Sequence, residues 1–142
     1  RPHPYDARSS RPEKRWLMLR VALLGPEASG GKWLGRWLDA HADLDVRHWS
    51  MPHGPDDDGV RRWPIPRGDV AGFVPERIVL LVRDSAASVP AQLDTHPVDD
   101  VETAEYNIVR GICDATSLAV DVDVPLRLVT YEGLVNYEGV DR

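Results

Sequence analysis

Cysteine is all but absent from this chain. Cys113 stands alone, which rules out an internal disulfide and suits a reducing compartment, so a cytoplasmic setting is expected. Its neighbours Val109 and Ile112 predict a buried thiol rather than an exposed nucleophile. Long apolar runs are missing too: nothing approaches the roughly 18 residues that cross a bilayer, so no membrane partner is expected. Positive charge is in deficit. A formal net charge of -6 and a pI near 5.3 argue against a duplex nucleic-acid binder, which needs clustered Lys and Arg, and leave only a small nucleotide as a ligand of that kind. Lysine is scarce: of 17 basic residues only Lys14 and Lys32 are lysines, so a lysine inside a glycine-rich loop stands out.

What is present fits one globular domain. The 142 residues suffice for one core and not for two, and 42% hydrophobic with 28% charged residues is an ordinary globular balance. Arg1 to Lys14, rich in Pro, Arg and Ser, reads as an extended arm able to dock on a protein partner, which leaves residues 15–142 for the domain.

Within that domain, Trp16 to Leu24 is almost wholly apolar and ends at Gly25, the pattern of a strand covered on both faces. Lys32 to His41 carries Trp33, Leu34, Trp37 and Leu38 at helical spacing. Val46 to Ser50 predicts a short strand, and Met51 to Gly72, polar and broken by Pro and Gly, a long surface loop. Arg77 to Arg83, with Ile78 to Val82 apolar in succession, predicts a second buried parallel strand. Ser85 is placed to cap the next helix, which Pro90 either limits or enters in its first turns. Val98 to Val120 is the longest helical stretch, with Val101, Ala104 or Glu105, Ile108, Ile112, Ala115 and Ala119 along one side. Leu126 to Tyr131 is a third clear strand and Glu132 to Tyr137 a short closing helix. Strands alternating with helices predict an α/β fold: a three-layer, P-loop-type parallel sheet with helices on both faces.

The segment Gly25-Pro26-Glu27-Ala28-Ser29-Gly30-Gly31-Lys32 leaves a strand and opens a helix, the context in which a glycine-rich loop binds phosphate. Glycines let backbone N–H groups turn inward, and the helix N-terminus adds about half a positive charge. Ser29, Gly30, Gly31 and Lys32 are therefore candidate ligands of a phosphoryl or sulfuryl oxygen. The alternative is a plain turn joining strand to helix. Gly31 stands where nucleotide kinases carry lysine and Lys32 where they carry Ser or Thr, so magnesium loses its usual ligand and ATP chemistry is disfavoured.

Ser29-Gly30-Gly31-Lys32-Trp33-Leu34 resembles the Ser-Gly-Thr-Thr-Trp-Leu loop of sulfotransferases, which holds the 5′ end of phosphoadenosine phosphosulfate. Arg77 to Asp84 looks like the strand and Arg-Asp of that family's 3′-phosphate motif, and Leu128 to Val135 resembles its Tyr-Glu-Asp-Leu element. The three likenesses are collinear and span residues 20–136. They imply 3′-phosphoadenosine 5′-phosphosulfate as cofactor and sulfuryl transfer to a hydroxyl acceptor. Departures are equally plain. Ala28 occupies the place of the family's catalytic Lys or Arg, Gly31 and Lys32 replace the two threonines, and Ala91 replaces the serine that binds the 3′-phosphate, with Ser88 and Gln92 nearby.

Physically, Arg83 at the carboxyl end of a parallel strand would share a crevice with the Gly30 loop and clamp a phosphate bidentately; the competing role is an ion pair with Asp84 or Glu132. Lys32 would stabilise charge on the transferred group, and His48 or His53 would take the acceptor's proton. Asp56, Asp57 and Asp58 read as solvated, so no metal site is assigned. Two other functions compete: a P-loop small-molecule kinase with a shifted lysine, and a P-loop scaffold without catalysis that docks through the 1–14 arm.

Overall fold

The computed structural model describes residues 18–26, 28–41, 43–51, 67–95 and 98–136. The 1–14 arm with Lys14, His53, and Asp56 to Asp58 lie outside the described residues.

Along the chain, β1 (Leu19–Pro26) is followed by α1 (Gly31–His41), β2 (Leu44–Met51), α2 (Arg67–Phe73), β3 (Arg77–Val82), α3 (Ser85–Thr95), α4 (Val101–Val122), β4 (Leu126–Thr130) and α5 (Tyr131–Val135). The four strands form one all-parallel sheet in the order β2-β1-β3-β4. β1 is central because its residues can be buried on both faces: Val21 to Pro26 are all buried. Alternate residues then feed two apolar clusters. Ala22, Leu24, Ile78 and Leu80 pack with Val70 and Phe73 of α2 and Ala115, Leu118 and Ala119 of α4. Val21, Leu23, Val46 and Leu81 pack with Leu34 of α1, joined by Trp33, Tyr131 and Leu134.

Three expectations need correction. Met51 to Gly72 is not loop throughout, because α2 begins at Arg67; Val70 and Phe73, three apart, reach the core at 0% and 7% exposure, and that burial outweighs the helix-weakening Gly68 and Gly72. Cys113 is exposed rather than buried, since α4 turns residues 109 and 113 to solvent while Ala115 and Leu118 face the sheet. The inward side of α4 also differs from the apolar stripe: Val101 and Glu105 are exposed, whereas Asn107, Gly111 and Asp114 are buried.

Helix starts follow local chemistry. Asp100, in extended backbone, accepts from the Thr103 backbone N–H at 2.7 Å and opens α4. Asp100→Ala is expected to cost about 1 kcal/mol, read as a lower urea midpoint; an unchanged midpoint would show that this cap contributes nothing. For α3 the cap is Asp84, whose Oδ1 accepts from the Ala86 N–H at 3.0 Å, and not Ser85, which is already helical. Pro90 lies inside α3 and is exposed, so the helix continues through it, giving up only the backbone hydrogen bond that proline cannot donate.

Candidate functional site

β1 connects through α1 to β2 on one side, while β3 lies on the other side of β1. The chain therefore reverses its direction of travel across the sheet between β1 and β3. In an open parallel sheet the carboxyl ends of two such strands flank a crevice, because the segments leaving them diverge. Leu24 is level with Leu80, so the segments following Pro26 and Val82 emerge side by side.

Close strand approach requires the glycine that ends this register. A Cβ on Gly25 would collide with the backbone oxygen of Leu81. Beyond it the chain turns sharply: Ala28 has φ 61° and Gly30 φ 89°, both in the left-handed region. The α1 backbone starts immediately, with the Leu34 N–H donating to the Gly30 carbonyl at 3.0 Å. Ser29 is buried at 3% exposure, and Lys32, the second residue of α1, is exposed.

Four elements meet around this loop. His48 of β2, 7% exposed, packs so tightly under Gly31 that a Cβ there would strike its imidazole Nε2. Tyr131, at the start of α5, brings the edge of its ring against Gly30, where an added Cβ would sit 2.6 Å from Cδ2. Arg83, just past β3, stacks its guanidinium 4.5 Å from the Tyr131 ring centre, and its Nη1 donates to the Ala28 carbonyl at 3.5 Å. The candidate residues Ser29, Gly30, Gly31, Lys32, His48 and Arg83 thus come to one end of the sheet. Arg83 forms no ion pair among the described residues; Glu132 instead accepts the Asp84 backbone N–H at 3.1 Å.

Donor groups gather at this end of the sheet. Arg83 Nε is buried without a hydrogen-bond partner, a donor whose desolvation costs on the order of 1–3 kcal/mol until something accepts from it. Lys32 is exposed at the start of α1, beside the positive end of the helix dipole. Further along α3, Ser88 and Gln92 are buried at 1% and 0%, and Ser88 Oγ has no partner. Ala91, in the place of a serine, contributes no hydroxyl.

From the sequence Tyr131 figures only as the end of a strand and part of the Tyr-Glu element, with no place beside the loop. The Tyr-Glu pair that follows β4 was visible, but only the register, with Val82 paired to Thr130, brings Tyr131 level with Arg83. Among the described residues no three His, Cys, Asp or Glu side chains group as metal ligands, and no helix is long and apolar enough to cross a membrane.

The chain matches no family model and no curated protein.

Proposed function

We propose that the protein binds an adenosine phosphosulfate-type nucleotide in the crevice between β1 and β3, on a three-layer sheet of the P-loop type, as a sulfotransferase-like protein. The observation that carries this reading is the meeting of Arg83 with the glycine loop, through its 3.5 Å contact with the Ala28 carbonyl. One ligand with phosphates at two positions can then touch both. The open donors suit it: Arg83 Nε lacks an acceptor, and the start of α1 supplies backbone N–H groups.

Such a nucleotide brings an activated sulfuryl group; the chain's residues bind, orient and move a proton. Lys32 and the loop amides would stabilise charge on the nucleotide's sulfuryl and phosphate oxygens. His48 is the candidate base, whose imidazole would take the proton of an acceptor hydroxyl. Ala28 adds no charge at the position where the resemblance places a catalytic cation. That observation favours a second reading, a nucleotide-binding scaffold that has lost catalysis.

Calorimetry separates these. Phosphoadenosine phosphate is expected to bind without magnesium and more tightly than ADP or sulfate, whereas magnesium-dependent ATP binding would instead establish the kinase reading. Lys32→Ala is expected to weaken phosphoadenosine phosphate by about 1.5–3 kcal/mol, the scale of a charged hydrogen bond. Equal affinities for wild type and variant at low salt would remove Lys32 from the site. Absence of binding by the wild type would end the nucleotide reading. If the nucleotide binds but no acceptor hydroxyl is ever sulfated, the scaffold reading stands.

A further inference from the structure

We infer that Tyr131 is a positioning residue of this site, whose ring sets the plane from which the Arg83 guanidinium meets a bound oxyanion. The inference rests on the nucleotide reading above, since it assigns Arg83 an anion to hold. It starts from how little else fixes that guanidinium. Arginine carries five N–H donors in a rigid plane, and their orientation decides whether two of them can reach one phosphate group together. Here one donor makes a contact of 3.5 Å, longer than an ordinary N–H···O hydrogen bond, and Nε makes none. No carboxylate among the described residues pairs with Arg83. Hydrogen bonding alone would leave the group free to turn.

The Tyr131 ring supplies the missing constraint. With its centre 4.5 Å from the guanidinium carbon, it attracts the cation to its face. The ring is itself held on other sides. Its Cδ2–Cε2 edge lies so close to Gly30 that no Cβ would fit, and Trp33 of α1 packs against it with centres 5.6 Å apart and planes at 70°. Its backbone belongs to a capped corner, where Thr130 Oγ1 accepts the Gly133 N–H at 3.1 Å. The next residue, Glu132, accepts the Asp84 N–H at 3.1 Å, tying the end of β3 to the same corner. One ring thus spans the segments leaving β1 and β3 and fixes their separation. None of these contacts uses the phenolic hydroxyl, so a phenylalanine should serve as well.

The test compares Tyr131→Phe with Tyr131→Leu, in wild-type and Arg83→Ala backgrounds, by calorimetry with phosphoadenosine phosphate. Tyr131→Phe should bind like wild type. Tyr131→Leu should lose about tenfold in affinity, and most of that loss should vanish in the Arg83→Ala background, because residues acting through one another are non-additive. A ring that only filled space would weaken binding equally in both backgrounds, which would overturn the inference. So would a Tyr131→Leu protein that binds like wild type. Ligand-free NMR gives a reading that survives misfolding of the leucine variant: ring current should shift the Arg83 Nε–H proton upfield in wild type and Tyr131→Phe, and an unshifted signal in wild type would also overturn it. If wild type binds no phosphoadenosine phosphate at all, the nucleotide reading fails first and this inference with it.

Discussion

Gly25→Ala is expected to lower the stability of the whole domain markedly. The added Cβ points at the Leu81 carbonyl oxygen, which is backbone in the adjacent central strand and cannot swing aside as a flexible side chain can. Relief requires β1 and β3 to part where Leu23 and Leu24, both at 0% exposure, pack into the two clusters. Overpacking of this kind costs about 3 kcal/mol, a large share of the roughly 5–15 kcal/mol that holds a domain folded. A fall in Tm on the order of 10 °C follows for a chain of this size. Gly72→Ala is the matched control: nothing lies within 4 Å of its added methyl, and alanine is the better helix former, so stability should rise slightly. Thermal unfolding of the three proteins decides it. A Gly25→Ala protein as stable as wild type would mean that the two strands do not approach as described.

Gly30→Ala should spare the fold and disable the site. At φ 89° any side chain is strained, and the new methyl would lie 2.6 Å from the Tyr131 ring, which must then tilt or withdraw. Either movement takes away the surface on which Arg83 rests and alters the loop that opens α1. The expected result is a loss of phosphoadenosine phosphate affinity on the order of a hundredfold, with a far smaller drop in Tm than for Gly25→Ala. Gly30 lies at the solvent-facing end of the sheet, half-buried, where a shifted loop disturbs few core contacts. Retained affinity in Gly30→Ala would show that the loop is only a connection between β1 and α1.

Much of this was legible from residue order because the relevant interactions are local or periodic. The continuous apolar runs at Val21 to Leu24 and Ile78 to Val82 demand burial on two faces, and a strand buried on both faces belongs in a parallel sheet. Trp33, Leu34 and Leu38 mark the inward side of α1 by spacing alone. The glycines at 25, 30 and 31 announced a close approach of backbone to something.

What they approach was not legible. Gly25 meets a carbonyl from β3, Gly30 a ring from the end of β4, and Gly31 an imidazole from β2. These partners come from separate strands, and their meeting depends on strand order and register, which no local pattern encodes. The same reason explains α2, whose Val70 and Phe73 become helical through a core supplied mainly by other elements. It explains Cys113 as well, since apolar neighbours in sequence do not say which side of α4 faces the sheet. The sequence by itself determined most of the elements, their approximate extents and a glycine-rich turn from β1 into α1, because backbone propensity and burial periodicity act over a few residues. Only the tertiary structure decided that Arg83, Tyr131 and His48 surround that loop, because a crevice between parallel strands exists only once the chain has crossed the sheet and returned.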